Sequence, residues 1–326
     1  MFDELNYYGK HKIPVLFIID YLKKKPIIIP FSDLSKKNKN IFFDLNGCRN
    51  SYFRINNGKT NSSKHCSSIS IKNKISFHDY KNKFDKIIGH LKKGNSFLVN
   101  LTAPTEIELA NGFNNIFYSA KSKYKMNYKN EFIFFSPETF IIIKNNIIST
   151  FPMKGTIRAD IPDAEKIILS DEKESAEHIT IVDLLRNDIG SVAENIKVLK
   201  FRYIDKIKTA AYELLQVSSE ICGTLEKNWN TRLGDILEKI LPAGSVTGAP
   251  KIKTLEIIKD TEKYDRNYYT GVCGYFDGTN LDSCVMIRFI ENIGDKFFFK
   301  SGGGITIYSN PISEYNELID KIYIPE

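Results

Sequence analysis

Two stretches far apart in the chain each carry a Glu-x-x-Glu pair, Glu174 with Glu177 in SDEKESAEH and Glu314 with Glu317 in SEYNELIDK. On a helix, residues three apart share a face with Cβ atoms roughly 5 to 6 Å apart, so each pair aims two carboxylates in one direction. Four converging carboxylates repel unless a cation sits among them. An all-oxygen donor set of this kind suits Mg²⁺, which keeps several waters and accepts a substrate carboxylate or phosphate. A single Glu-x-x-Glu is more often a solvated helix face; the repetition is what brings the metal into view. Lys321 falls on the same helical stripe as Glu314 and Glu317, where it meets either the anion that a metal holds or only Glu317 in an i,i+4 surface pair.

Two further features carry chemistry. Gly302-Gly303-Gly304 precedes the second glutamate pair; three glycines let backbone N–H groups approach an anion, and they equally make a tight turn. Lys154 stands in Phe-Pro-Met-Lys-Gly-Thr-Ile, between a proline that cannot extend a central strand and a glycine that permits unusual backbone angles. A lysine in a desolvated or cationic pocket has a lowered pKa and acts as a nucleophile. The same spacing is that of a surface lysine, one of 46 Lys and Arg residues.

Those residues need a scaffold, and the chain has the material for one. Its 326 residues are 42% apolar and 12% aromatic, enough for a substantial core. No apolar run approaches the roughly 20 residues of a membrane span, and the polar, aromatic start at Met1 to Lys12 is unlike a signal peptide. A cytoplasmic protein without membrane association is expected. Five cysteines, Cys48, Cys66, Cys222, Cys273 and Cys284, are widely spaced with no CxxC or Cys/His ligand pattern, so they read as reduced and structural. The net charge of +7 is spread over Lys- and Asn-rich stretches such as Ser35 to Asn40 and Lys121 to Asn130, which read as loops. Spread charge argues against a nucleic-acid stripe, while a positive field favours an anionic substrate.

Short apolar and aromatic runs dominate the first half. Val15 to Ile19, Ile27 to Ile29, Ile41 to Phe43, Phe97 to Leu101 and Phe132 to Phe135 read as strands. Thr139 to Thr150 reads as a hairpin turning at Asn145 and Asn146. Arg54 to Lys74 is polar and offers little to bury, as a loop or weak boundary does. In the second half, helices are predicted at Asp171 to Asp188, Ala210 to Leu225, Arg232 to Ile240 and Lys251 to Asp260. Strands return at Tyr268 to Phe276, Ser283 to Ile290 and Phe297 to Lys300, with turns at Asp277-Gly278 and Gly294-Asp295. A last helix is capped by Asn310, with Pro311 in its first position. Strand runs interleaved with long helices predict an α+β architecture rather than regular βαβ units.

With those segments in view, the chain resembles the chorismate-utilising enzymes, which include anthranilate, aminodeoxychorismate, isochorismate and salicylate synthases. The resemblance runs through GNSFLVNLT (94–102), SPETF (136–140), PMKGT (152–156), SAEHITIVDLLRNDIG (175–190), PAGSVTGAPK (242–251), GVCGYF (271–276), IRF (287–289), SGGGI (301–305) and EYNELIDK (314–321). It implies two large, mainly antiparallel sheets packed together and covered by helices. It also implies one chorismate-binding catalytic domain over residues 1–326, more divergent in 1–93 than in the motif-bearing 94–326. In the implied site Glu177 and Glu317 ligate Mg²⁺ directly and Glu174 and Glu314 support through water. Gly302, Gly304 and Lys321 contact the ring carboxylate, Tyr275 and Arg288 the enolpyruvyl carboxylate, and Thr156 the substrate or nucleophile. Glu138 is the implied general acid for the departing 4-hydroxyl.

Within the family, lysine at the Lys154 position resembles the aminodeoxychorismate synthases, whereas anthranilate synthases usually carry alanine. The resemblance therefore implies attack of Lys154 on C2 of chorismate and amination at C4, toward 4-aminobenzoate and folate. Anthranilate formation is the alternative. Leu98 stands where the water-using branch places a basic lysine, which argues against hydroxylation. Gln216 replaces the histidine of many relatives, so any hydrogen bond it gives the substrate comes from an amide, and Arg158 is shifted relative to the arginine of relatives. No stretch matches the tryptophan-binding elements of larger relatives, so feedback by tryptophan is not expected. No Gly-x-Cys-x-Gly elbow presents a glutaminase nucleophile, so a separate glutamine amidotransferase subunit is expected to supply ammonia.

Overall fold

In the computed structural model, residues 1–37, 40–50, 69–208 and 213–325 are described. Two nine-stranded sheets make up the frame. The first runs, from edge to edge, Met153–Arg158, Glu213–Thr224, Ile147–Thr150, Thr139–Lys144, Leu281–Val285, Val272–Phe276, Val15–Ile19 and Ile27–Pro30, with Glu194–Lys208 also paired to Glu213–Thr224. The second runs Gly248–Ala249, Leu98–Leu109, Lys296–Ile305, Phe289–Ile293, Phe132–Ser136, Tyr124–Tyr128, Ile41–Leu45 and Cys48–Arg49, with Ile69–Asn73 along Leu98–Leu109. The pairings are antiparallel throughout.

Burial explains why the strands read as unbroken apolar runs instead of alternating ones. Along Val15–Ile19 every residue is buried. Leu16 and Ile18 pack with Phe43, Tyr124, Met126, Phe134 and Phe289 of the second sheet. Val15, Phe17 and Ile19 pack with Leu233, Ile236, Leu237 and Ile240 of the Leu233–Ile240 helix. The opposite layer is helical too. Tyr80, Phe84 and Ile87 of the Phe77–Lys92 helix, with Ile257, Ile258 and Leu318, cover Val99 and Leu101 of the second sheet. Each sheet is thus apolar on both faces.

The structure departs from the sequence reading in five places. Ala210 to Leu225, read as helical, holds the strand Glu213–Thr224, residues 209–212 lying outside the described residues. Leu215, Val217, Ser219 and Ile221 are buried at a period of two, and pairing to three neighbouring strands overrides the helix-forming Glu-Leu-Leu-Gln run. Ser283 to Ile290 is two strands in different sheets, Leu281–Val285 and Phe289–Ile293, separated at Arg288 with φ 51°. The triple glycine lies inside the strand Lys296–Ile305, paired with Leu98–Leu109. Lys121 to Asn130 contains the fully buried strand Tyr124–Tyr128, in which Lys125 Nζ donates to the carbonyls of Phe117 and Ala120 at 2.8 and 2.7 Å. Arg54 to Lys74 falls largely outside the described residues, but its end forms the strand Ile69–Asn73.

Other expectations are met closely. Asn145 and Asn146 both take positive φ at the hairpin turn, as a two-residue turn requires. The last helix spans Pro311–Asp320, with the Asn310 side chain accepting from the N–H groups of Ile312 and Ser313. Cys48, Cys222, Cys273 and Cys284 are free thiols, and Cys66 lies outside the described residues. Among the described residues no helix is long and apolar enough to cross a membrane.

Candidate active site

The sheets part at one end around a cavity of about 490 Å³. The edge strand Met153–Arg158 supplies Lys154, Gly155 and Thr156 to its wall, and Lys296–Ile305 supplies the triple glycine. The helix Glu172–Gly190 contributes Glu174, Glu177 and Ile181; the end of the last helix contributes Glu317 and Lys321. Glu138, Gln216, Arg288 and Leu98 also line this wall. A larger groove of about 940 Å³ lies on another face of the same helix. Beside Phe97, Ile179 and Phe201 it is lined by Asp183, Arg186, Asp188 and Lys251, the last two paired at 2.7 Å; the paired glutamates, Lys154 and Glu138 line the smaller cavity instead.

Local backbone features present these side chains. Asp171 caps the first of the two helices by accepting from Glu174 N, which starts the turn that carries both carboxylates. The register of Met153–Arg158 slips between Lys154 and Thr156, around Gly155 at φ 72°, a bulge that glycine tolerates and other residues resist. Arg288 sits in the bend that divides its two strands, and its guanidinium lies 4.9 Å from the centre of the Tyr323 ring. At Gly303 a Cβ would stand 3.6 Å from both Glu314 Oε2 and Glu317 Oε1. The missing side chain is what leaves room beside those carboxylates.

Electrostatically the cavity pairs acids with lysines. Lys154 Nζ lies 2.5 Å from Glu177 Oε2, and Lys321 Nζ lies 2.6 Å from Glu317 Oε1 and donates to the Gly302 carbonyl at 2.8 Å. Burial would lower the pKa of Lys154, but Glu177, Glu174 and Glu317 outweigh it and hold the amine above its usual value. The lowered pKa expected from the sequence is therefore not found: three carboxylates surround the lysine where a cationic or apolar pocket was foreseen. Glu138 shows the opposite balance. Burial raises its pKa, and the Ser245 hydroxyl, Lys321 and Arg288 only partly offset that; Ser245 Oγ donates to Glu138 Oε1 at 2.5 Å.

A profile of the family described as chorismate binding enzyme matches residues 38–325. The chain belongs to that family. It is a chorismate-utilising enzyme, 48% identical over 323 residues to an uncharacterized PabA-like protein of Haemophilus influenzae, covering 99% of this chain and 95% of the relative. It is also 36% identical over 197 residues to aminodeoxychorismate synthase component 1 of Escherichia coli, covering 57% of this chain and 42% of that one. Among solved structures, anthranilate synthase component I from Streptococcus pneumoniae superposes with a TM-score of 0.69 at 27% identity, over 80% of this chain and 60% of that one.

Two expected residues stand apart from the cavity wall. Tyr275 packs its ring against Phe31, with centroids 6.5 Å apart, and burial pushes its hydroxyl up to about 12; Tyr269 and Thr270, from the loop before Val272–Phe276, line the cavity. The tyrosine in the wall thus lies in the loop just before the strand that carries most of GVCGYF, and no residue of Val272–Phe276 lines the cavity. Glu314 is buried behind Gly303 rather than in the lining. Gln216 Nε2 reaches Thr156 Oγ1 at 3.4 Å, and Arg158 turns to the exposed Asp160. Sequence reasoning passed over Ser245, Asn100 and Lys300 of the wall. The segments PAGSVTGAPK and GNSFLVNLT carried the first two, but no spacing marked either residue as a partner of the acid or the cavity.

Proposed function

We propose that this chain is the aminating component of an aminodeoxychorismate synthase, converting chorismate and ammonia to 4-amino-4-deoxychorismate on a route to 4-aminobenzoate and folate. One observation carries the reading: a lysine amine, Lys154, and a carboxyl with a raised pKa, Glu138, line the same cavity. Lys154 attacks C2 of the ring, both conjugated ring double bonds shift, and the C4–O bond breaks as Glu138 gives its proton to the leaving oxygen, so water departs. Ammonia then adds at C4, both double bonds shift back, and the C2–N bond to lysine breaks. As it stands Lys154 is an ammonium and must first lose a proton; Glu177 Oε2 is the acceptor in contact. Arg288 suits a substrate carboxylate, which its fork can grip bidentately. Leu98 in the wall gives no base to activate water, which favours amination over hydroxylation.

The four glutamates offer only carboxylate oxygens, a donor set that fits Mg²⁺. Among the described residues no three Asp, Glu, His or Cys are gathered as a ready-made metal site; Lys154 contacts Glu177 and Lys321 contacts Glu317. Glu177 and Glu317 would hold the cation, backed by Glu174 and Glu314, exchanging lysine contacts for metal. When bound, Mg²⁺ supplies positive charge that neutralises the acids and fixes a substrate carboxylate. Ammonia would come from a glutamine amidotransferase subunit, and the site would work in the cytoplasm.

The test is direct: incubate the purified chain with chorismate, Mg²⁺ and an ammonium salt, and identify the product by mass spectrometry. 4-Amino-4-deoxychorismate is expected. Anthranilate fluorescence without an added lyase would overturn the reading in favour of an anthranilate synthase.

A further inference from the structure

Arg266, 3% exposed, makes no contact with the reacting groups yet binds three parts of the cavity wall at once. Nη1 donates to the Val246 carbonyl at 2.9 Å and to Thr270 Oγ1 at 3.3 Å, and Nη2 donates to the Asn100 carbonyl at 2.8 Å. Asn100, Val246 and Thr270 all line the cavity. Nε and Nη2 also grip Glu262 at 2.8 and 2.6 Å. Glu262 Oε1 in turn accepts from Thr102 N and Oγ1, both at 2.8 Å, which anchors the guanidinium to the strand Leu98–Leu109.

The Val246 carbonyl belongs to the short turn Gly244–Val246, whose central residue, Ser245, donates to Glu138. We propose that Arg266 is a positioning residue that locks this turn so that Ser245 Oγ stays on Glu138 Oε1. The assignment builds on the reading of Glu138 as the acid. The backbone already ties the end of the turn to the second sheet, Asn100 N donating to the Thr247 carbonyl at 2.9 Å; the Arg266 fork adds the Thr270 loop to that link, and a lysine, with one nitrogen, cannot reproduce its fixed geometry. The charged and titratable groups facing Glu138 are Lys321 from the last helix, Arg288 from the bend before Phe289–Ile293, and Tyr269.

The test follows the Glu138 carboxyl by ¹³C NMR titration, its signal assigned by loss in Glu138→Gln. It compares the unsubstituted protein, Ser245→Ala, Arg266→Lys and the double variant. Losing the serine hydrogen bond removes an interaction that favours the carboxylate, so both single variants are expected to move the midpoint upward, and the double variant no further than Ser245→Ala. In the ammonia assay Arg266→Lys is expected to lower kcat on the order of 10- to 100-fold with little change in KM. A midpoint unmoved by Arg266→Lys, or shifts that add in the double variant, would overturn the assignment. Should Arg266→Lys fail to fold, Glu262→Gln, which loosens the same anchor, carries the same expectation and the same reversal. The titration needs no turnover, so coupled midpoints in a protein that makes no aminated product would sink the proposed reaction and leave the Arg266 assignment standing.

Discussion

At the scale of single residues, chemistry turns on which group in the cavity keeps its proton. In the proposed reaction Glu138 must be protonated to release the hydroxyl, while Lys154 must be neutral to attack. With the carboxyl titrating below the amine, the competent combination is a minority state. Its population rises with pH up to the Glu138 pKa, is level between the two values, and falls above that of Lys154. The acid-side inflection of kcat, measured at constant free NH₃, therefore reports Glu138, whose pKa burial raises. Ser245→Ala is expected to move that inflection to higher pH, and an unmoved acid limb would count against Glu138. Lys154→Ala is expected to lower formation of 4-amino-4-deoxychorismate by on the order of 10³-fold or more, or to reroute it, as read by product mass spectrometry. Undiminished product would remove the nucleophile.

At the scale of elements, the last helix and the strand before it carry half of the acids. Asn310 satisfies two of the helix's first N–H groups, and Asn310→Ala is expected to cost about 1 kcal/mol in denaturant unfolding. Such a loss would fray the turn that presents Glu314. The neighbouring strand is more tightly constrained. A Cβ at Gly302 would stand 2.5 Å from Thr102 Cγ2 and 2.6 Å from the Leu101 carbonyl, so the two strands must move apart. Gly302→Ala is expected to cost about 1–3 kcal/mol and to weaken the Lys321 contact with the Gly302 carbonyl; a stability within error of the parent would show that the pairing is slack. At Gly303 a Cβ would meet only the side-chain ends of Glu314, Glu317 and Lys321 at 3.6–3.9 Å, so a substitution there bears on the site rather than on the strand pairing.

At the scale of the whole molecule, two helices remote in sequence bring Glu174, Glu177 and Glu317 to one cavity, with Glu314 buried beside Gly303, so a cation held there would tie those helices together. Binding only to the folded state stabilises by roughly 2.7 kcal/mol at 100 times Kd. Added Mg²⁺ is thus expected to raise the melting temperature, and Glu177→Gln or Glu317→Gln to diminish that rise. An equal rise in both variants would dismiss them as ligands.

The sequence by itself determined the local elements whose signals are local: the Val15–Ile19 strand, the Asn145-Asn146 turn and the capped last helix. It also determined which residue types were available, since the paired glutamates, the lysine between Met153 and Gly155 and the three glycines stand out by spacing or motif. Tertiary structure decided the rest. Glu213–Thr224 became a strand because three neighbours pair with it, and Ser283 to Ile290 was split because Arg288 turns the chain from one sheet into the other. That Tyr269 lines the cavity depended on where its loop packs, and the charge of Lys154 on carboxylates brought in from remote helices. Ser245 and Arg266 act through contacts between segments far apart in the chain, and hydrogen bonds and fields of that kind fall off within a few ångströms in space, whatever the separation in sequence.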